Sequence, residues 1–259
     1  MNRITLPEIE DSGRLPRWLR DAMTGYLQAA IGLGKPYAVV APTLAELIRA
    51  SGGHHVVDLA SGGGGPWPEL VDGLKSEIGA FPTVTLTDIQ PNESAATELE
   101  RLPNVSYRRD PISALAIPRE LGGVRTMFTG LHHFNEGEVT SIFRAAQEAR
   151  VPFLAAEATH RSFRGLLILA FIPLLVLLLM PRVRPRRLFP LLLTYLPPIL
   201  PILIWWDGFA STLKSYRAEE LRALASAVDE PGYVWRVEEL SVRGAPTPVT
   251  VVVGCPITS

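Results

Sequence analysis

The chain has 259 residues, a formal net charge of −1 and a single cysteine, Cys255. This length suits one large domain, or one domain with an insertion, and a single cysteine excludes an intramolecular disulfide. The near-neutral charge gives no case for nucleic-acid binding. The stretch from Met1 to Arg20 is polar and lacks the apolar core of a secretory signal, so we expect a reducing, cytoplasmic location.

The first predicted elements are helices between Pro7 and Ser51. Apolar residues recur there at helical spacing in two segments, which Gly32 and Gly34–Pro36 separate. Residues 1–52 are therefore predicted to form a helical cap. Two tyrosines of this cap, Tyr26 and Tyr37, are candidates for the mouth of a site, although simple packing explains the helices as well.

A short buried strand running into a glycine-rich turn follows at His54–Pro66. The strand is rich in valine, as buried parallel strands are, and glycines let main chain approach a ligand closely and adopt positive φ. Asp58 ends the strand, where open α/β sheets bind ligands. The turn lacks the Lys-Ser/Thr of a phosphate loop, and Trp67 stands where a dinucleotide fingerprint has its third glycine.

A helix is predicted next at Pro68–Ile78, and a second strand at Val84–Ile89. The N-terminus of that helix favours a carboxylate ligand. Asp88, near the tip of the second strand, can accept two hydrogen bonds from a ribose diol. The alternative is that Asp88 caps the following helix.

Two further helices are predicted at Glu93–Arg101 and Glu136–Ala149. Three further strands, each ending beside polar residues, are predicted at Val105–Asp110, Val124–Gly130 and Val151–Glu157. His132 and His133 follow the second of these, and a histidine can act as a general base near neutral pH. The alternative is that one histidine caps an element and the other lies on the surface. Two adjacent histidines without a spaced third ligand support a metal site poorly, so we predict no metal.

The composition changes abruptly in residues 165–207. Two almost wholly apolar runs, Leu166–Met180 and Leu188–Trp206, flank the arginine-rich stretch Pro181–Arg187. The first run is shorter than the roughly 20 residues of a spanning helix, and prolines interrupt the second. We favour a shallow hairpin in the membrane interface, with the arginines at lipid phosphates and Trp205 and Trp206 at headgroup level.

The alternative for this insertion is a helical lid, buried on the domain or across a homodimer interface, since so large an apolar patch needs a partner. Residues 208–259 are predicted to complete the core after it. A helix is expected at Arg217–Val228 and two closing strands at Tyr233–Leu240 and Pro248–Gly254.

The pattern D-x-x-x-G-x-G, formed by Asp58, Gly62 and Gly64, resembles motif I of the class I S-adenosylmethionine-dependent methyltransferases. That family usually has another glycine where this chain has Ala60, and an alanine is tolerated there if its φ is negative. The order of elements from His54 to Gly254 also matches. The resemblance implies an α/β fold with a Rossmann-like, doubly wound seven-stranded sheet, N-terminal helices and an apolar helical insertion after the fifth strand.

The resemblance also implies S-adenosylmethionine as cofactor, with Asp88 on its ribose and Asp110 on its adenine. The alternative for Asp110 is an exposed loop aspartate with no ligand. The complete set of expected cofactor-binding residues is Asp58, Ala60, Ser61, Gly62, Gly64, Asp88, Ile89, Asp110 and Gly130. His132 or His133 is the candidate catalytic base if the acceptor is a hydroxyl, and Glu157 is either a site residue or a buried hydrogen-bond acceptor.

Insertions after the fifth strand often cover the acceptor in this family, so an apolar cover implies an apolar acceptor. We therefore expect a methyltransferase for a hydrophobic small molecule or lipid, peripheral on the inner face of the cell membrane through residues 165–206. Two alternatives stay open: a soluble dimeric enzyme whose insertion is a lid or interface, and a non-catalytic membrane-associated protein that retains the fold.

Overall fold

The computed structural model of the chain describes residues 2–10, 12, 15–184 and 186–257. Its centre is a sheet of seven strands: β1 His55–Asp58, β2 Thr83–Leu86, β3 Val105–Tyr107, β4 Val124–Phe128, β5 Phe153–Glu157, β6 Tyr233–Leu240 and β7 Val249–Pro256. They lie in the order β3-β2-β1-β4-β5-β7-β6. The predicted α/β fold with a doubly wound seven-stranded sheet is confirmed.

Strands β1 to β5 run parallel, and β7 runs antiparallel to both β5 and β6. Helices lie in the crossovers between the parallel strands except between β3 and β4, where residues 108–123 contain no helix. A hairpin can join the last two strands directly. The carboxyl ends of β1 to β5 therefore meet at one edge of the sheet, called here the carboxyl edge. Asp88 and Asp110, predicted inside strands, lie in the loops just beyond β2 and β3.

The helices in the described part of the chain are α1 Arg17–Gly34, α2 Ala41–Ala50, α3 Trp67–Ile78, α4 Glu93–Leu99, α5 Glu136–Glu148, α6 Phe163–Leu169, α7 Ile172–Leu179, α8 Leu188–Tyr195, α9 Ile199–Lys214 and α10 Ala218–Ser226. Local signals set several of their ends. Asn135 and Glu138 form a capping box at the start of α5, and Gly79 ends α3 with a φ of 77°.

The sheet is covered on both faces, as its buried strands require. Alternate residues of β1 point to opposite faces: Val56 packs with α2, α3 and α4, and Val57 with α5 and α10. A third apolar cluster joins α1 to the insertion, where Met23 and Tyr26 pack with residues such as Leu179 and Leu200. One face of the insertion is thus buried on the N-terminal cap.

The insertion consists of α6, α7, α8 and the first part of α9, and α9 continues past the expected boundary at residue 207. No single described helix is long and apolar enough to cross a bilayer. The pairs α6–α7 and α8–α9 reach that length and composition only together, and they are bent by 43° and 83°.

Trp206 lies against the N-terminal segment, because its Nε1 donates to the Pro7 carbonyl at 3.1 Å. The sequence did not predict this contact.

Candidate active site

The glycine-rich turn after β1 is wound by a series of residues with positive φ. Their φ values are 52° at Ala60, 49° at Gly62, 94° at Gly64 and 46° at Gly65. The negative φ that would make an alanine tolerable at this place is therefore not found at Ala60. An L-residue in the left-handed region costs about 1–2 kcal/mol. Ala60 therefore adopts a backbone conformation that glycine, the residue usual at this place, would adopt without that cost.

Asp88 faces this turn across the carboxyl edge. The Gly62 N–H donates to its Oδ2 at 2.8 Å, and the Gln90 N–H donates to its Oδ1 at 2.7 Å. Burial raises the pKa of the Asp88 carboxyl, although these two N–H groups and the nearby His133 act in the opposite direction. Asn92, whose side chain accepts from the Ala95 N–H, caps α4, so the helix-cap alternative for Asp88 is wrong.

The two glycines of the motif have different surroundings. A Cβ built on Gly62 has nothing within 4 Å, whereas a Cβ on Gly64 overlaps the Leu99 side chain of α4. Gly62 thus presents bare main chain to open space. Gly64 is required by the close packing of α4, a reason for glycine that the motif alone does not reveal.

Asp58 and Ser61 hold the turn in place from below. Thr126 Oγ1 donates to Asp58 Oδ1 at 2.6 Å, and Ser61 Oγ donates to the Asp58 carbonyl at 3.0 Å. Burial raises the pKa of Asp58 to about 6, against the effect of these hydrogen-bond donors. Both residues are buried, so their side chains support the main chain of the turn from inside the protein.

Ile89 and Asp110 lie on the rim of the same edge. Ile89, next to Asp88, is 62% exposed and offers an apolar surface. The Asp110 carboxylate is exposed and accepts from Arg108 at 2.7 Å. Their contact with an adenine stays a prediction.

A second strained backbone position lies at the end of β4. Thr129 has a φ of 53°, which is an outlier for a β-branched residue. Its hydroxyl is hydrogen-bonded to the buried Tyr37 hydroxyl, which also accepts from the Ala158 N–H at 3.1 Å. Such strain clusters at ligand sites. Next to it, Gly130 has no room for a side chain, because a Cβ would lie 2.6 Å from Met127 Cγ.

Neither Tyr26 nor Tyr37 lines a mouth, contrary to the sequence-based suggestion. Tyr26 is buried against the insertion and Tyr37 is buried beneath Thr129. Tyr37 instead restrains the strained backbone from inside the core.

The two adjacent histidines divide into a buried and an exposed member. His132 Nδ1 lies 2.9 Å from Glu157 Oε2, and the Leu131 N–H donates to the other oxygen of that carboxylate at 2.7 Å. Burial pushes the pKa of Glu157 upward, but His132 and the Leu131 N–H outweigh it, so that the pKa is lowered overall. His133 is exposed, and it lies close enough to Asp88 and Glu157 to lower the pKa of either carboxyl when its ring is protonated. His133 is thus the histidine that faces the open part of the site.

The N-terminal segment adds a buried carboxylate next to His132, which was not predicted from the sequence. Glu8 is buried, with Oε1 at 3.8 Å from His132 Nε2 and 2.9 Å from Lys214 Nζ. Asp207 accepts from the N–H groups of Ile9 and Glu10 at 2.7 and 3.0 Å. These partners come from opposite ends of the chain, so no local spacing could have paired them.

Glu8, His132 and His133 each offer one potential metal-ligand atom, and these atoms lie within 4.8 Å of one another. The spaced third ligand that the sequence lacked therefore comes from the N-terminal segment. The Lys214 ammonium, however, already pairs with the same Glu8 oxygen, and His133 is exposed. Glu8, His132 and Lys214 thus form a buried polar network.

No protein-family profile matches this sequence, and no curated protein matches it. Solved structures do match. The methyltransferase domain of bacterial CtHen1-C superposes with a TM-score of 0.50 at 14% identity, covering 84% of this chain and 97% of that chain. Human N-acetylserotonin methyltransferase in complex with SAM gives 0.49 at 14% identity, covering 90% of this chain and 56% of that one.

A third similar structure is the O-methyltransferase NcsB1 from neocarzinostatin biosynthesis, with a TM-score of 0.44 at 18% identity and coverage of 83% and 52%. The chain spans about half the length of this protein and of the human enzyme. At these identities, the likeness concerns the fold. Together with the sheet order and the turn after β1, the likeness to the CtHen1-C domain, at a TM-score of 0.50, shows that the chain has the Rossmann-like α/β fold of that methyltransferase domain.

Proposed function

We propose that the protein is an S-adenosylmethionine-dependent methyltransferase acting on a hydrophobic small molecule or lipid at a membrane surface. One observation supports the proposed methyltransferase activity. The Gly62 N–H donates to the Asp88 carboxylate at the carboxyl edge of a methyltransferase-type sheet. A carboxylate has about four acceptor sites, and two main-chain N–H groups use two of them. Asp88 keeps acceptor capacity for the two hydroxyls of a ribose.

The residues present suit the other parts of the cofactor. The open main chain at Gly62 admits a ligand at the turn, and the N-terminus of α3 favours a carboxylate beside it. The exposed side chain of Ile89 provides an apolar surface for a base. When bound, S-adenosylmethionine supplies an electrophilic methyl group on a sulfonium centre.

The histidines suggest how the acceptor is prepared. His133 is exposed beside Asp88 and can take the proton from an acceptor hydroxyl as the oxygen attacks the methyl carbon. His132 is buried on Glu157 and holds the turn that carries His133. Most of the catalysis would come from keeping donor and acceptor in line, so a carbon acceptor would not need the base.

The apolar acceptor and the membrane location are inferred from the insertion. It follows β5 directly, at the carboxyl edge, and its inner face packs on α1, which also contacts the glycine-rich turn through the hydrogen bond from Gln28 to the Gly63 carbonyl. An apolar cover over this edge suits an apolar acceptor. A soluble dimer that buries the insertion is the second candidate, and a non-catalytic protein that retains the fold is the third.

Calorimetry with S-adenosylmethionine and S-adenosylhomocysteine tests the cofactor assignment. We expect binding by the wild type, a loss of at least tenfold for Asp88→Ala, and no change for Asp72→Ala, which removes an exposed acid from α3. Undiminished binding by Asp88→Ala would refute the site. Absence of heat in the wild type would favour the non-catalytic alternative.

The acceptor is tested by incubating the purified protein with S-adenosylmethionine and a membrane lipid extract. Mass spectrometry should find a product heavier by one methylene unit. Methylation confined to a polar, water-soluble metabolite extract would contradict the hydrophobic acceptor while leaving the methyltransferase activity established.

A further inference from the structure

The outer face of the insertion exposes an unusual concentration of apolar side chains. Of the nineteen large apolar side chains exposed in the described residues, twelve lie between Phe163 and Ile202. Ten of the twelve recur at steps of three or four residues in two groups, called here the two stripes, and each group spans a bend of 43° or 83° between its helices. They are Phe163, Leu167, Phe171, Leu174 and Leu178 along α6–α7, and Leu188, Leu192, Tyr195, Ile199 and Ile202 along α8–α9. The Tyr195 hydroxyl donates to the Leu177 carbonyl at 2.6 Å, which holds the two stripes side by side.

The inner face of the same helices is apolar too, and it is already used. Val176 and Leu179 of α7 and Leu200 and Ile204 of α9 are buried against α1. Helices that are apolar all round belong in a protein core or in lipid. The inner face is already buried inside the protein, so the apolar environment for the outer face must come from outside the chain.

Charge indicates which environment this is. Residues 163–206 contain five arginines and no acidic residue, whereas the whole chain has a net charge of −1. The remaining residues of the chain therefore carry a net charge of −6. A second copy would bring the same arginines against each other, whereas an anionic surface attracts this segment and repels the remainder.

A cavity between α1 and the insertion places these arginines beside apolar surface. It is open to solvent, and it is lined by the apolar side chains of Trp18, Met180 and Leu191 together with Arg184, Arg186 and Arg187. Arg187 pairs with Asp21 at 3.3 Å and donates to Ser94, which fixes it to the protein. Arg184 and Arg186 are exposed beside it, and guanidinium groups suit phosphate oxygens.

We propose that the two stripes form a docking surface for a membrane that contains anionic phospholipid, with Arg184 and Arg186 binding lipid phosphates at the mouth of this cavity. This inference rests on the membrane part of the proposed function and names the lipid class and the contact residues. The apolar side chains enter the interface to about 5–10 Å, as interfacial helices do. The carboxyl edge of the sheet then lies next to the lipid surface from which an apolar acceptor can enter.

Flotation with two kinds of vesicle tests the docking surface. The full chain should float with vesicles of phosphatidylcholine mixed with phosphatidylglycerol, bind pure phosphatidylcholine vesicles more weakly, and lose the difference in high salt. Arg184→Gln combined with Arg186→Gln should weaken binding to the anionic vesicles by roughly 25-fold, taking about fivefold for each arginine. The matched control, Arg49→Gln with Arg144→Gln, removes two exposed arginines from α2 and α5 and should bind like the wild type.

A second variant, Leu174→Ser with Leu178→Ser, removes apolar surface and should weaken binding to both kinds of vesicle. The inference is overturned if the wild type stays with the soluble fraction, if the arginine variant floats like the wild type, or if sedimentation shows a dimer that the leucine variant dissociates. Calorimetry with S-adenosylmethionine separates the two proposals. Cofactor binding without flotation defeats only the docking surface, and flotation without cofactor binding defeats only the methyltransferase.

Discussion

The carboxyl edge of the sheet and the outer face of the insertion depart from ordinary packing in opposite ways. The edge buries charge: Glu8, Asp58, His132 and Glu157 are all less than 7% exposed. The insertion exposes apolar side chains, with Phe163 and Leu188 each 73% exposed. Both arrangements are unfavourable for an isolated chain, since buried charges need partners and exposed apolar patches need a cover.

The difference lies in where the compensation is found. At the carboxyl edge it is internal, because each buried carboxylate meets hydrogen-bond donors or cations of the same chain. At the insertion no compensation for the outer face is found within the described residues, because only the inner face is packed on α1. Changes at the edge should therefore affect stability most, and changes on the outer face should affect binding.

The largest effect is expected for His132→Ala, which removes a buried partner of Glu157 and a neighbour of Glu8. Leaving buried charges without their partner costs about 3–5 kcal/mol. The unfolding free energy should fall by that amount in a urea titration. His133→Ala is the matched control, since its side chain is exposed, and it should change stability far less. Equal losses for both variants would show that the exposed histidine is also structural.

Next in size is the pH dependence set by Asp58. Its pKa is about 6 in the folded protein, because burial opposes ionisation, against the ordinary value of 3.8. A raised carboxyl pKa means that the folded state binds the proton more tightly, so stability falls as pH rises from about 4 to about 7. The difference amounts to at most about 3 kcal/mol.

Urea titrations at several pH values should show this loss in the wild type relative to Asp58→Asn, which cannot ionise. Parallel stability profiles for the two proteins would show that Asp58 keeps an ordinary pKa.

A smaller effect distinguishes the two glycines of the turn. Gly64→Ala combines a φ of 94° with overlap on Leu99 and should cost about 2–3 kcal/mol in thermal unfolding. Gly62→Ala has open space and a φ of 49°, so it should cost only about 1 kcal/mol. Calorimetry should instead find that Gly62→Ala weakens cofactor binding. Normal binding in that variant would count against main-chain contact at Gly62.

The smallest effect is expected on the outer face of the insertion, where neighbouring leucines provide a matched pair. Leu178 is 54% exposed and Leu179 is 5% exposed. Leu178→Ala should change the unfolding free energy by less than about 0.5 kcal/mol, whereas Leu179→Ala should lower it by about 2 kcal/mol or more. A large loss for Leu178→Ala in chemical denaturation would mean that the outer face is packed in solution.

Much of the carboxyl edge could be predicted from local sequence. The valines of β1, the glycines after Asp58 and the acid after β2 each follow from the residues that adjoin them, and Asp88 does meet Gly62. The φ of Ala60 could not be predicted from local sequence: an alanine suits this place if its φ is negative, whereas the structure gives Ala60 a φ of 52°. The division between His132 and His133 could not be predicted, since only the position of Glu157 decides which ring is buried.

The sequence by itself determined the fold class, the place of the glycine-rich turn and the existence of an apolar, arginine-bearing insertion, because periodicity and composition act over short stretches of chain. Only the tertiary structure decided that Glu8 and Lys214 meet beside His132, and that one face of the insertion is buried while the other is not. Both depend on contacts between segments far apart in the chain. Packing of the whole domain selects such contacts, and no local pattern encodes them.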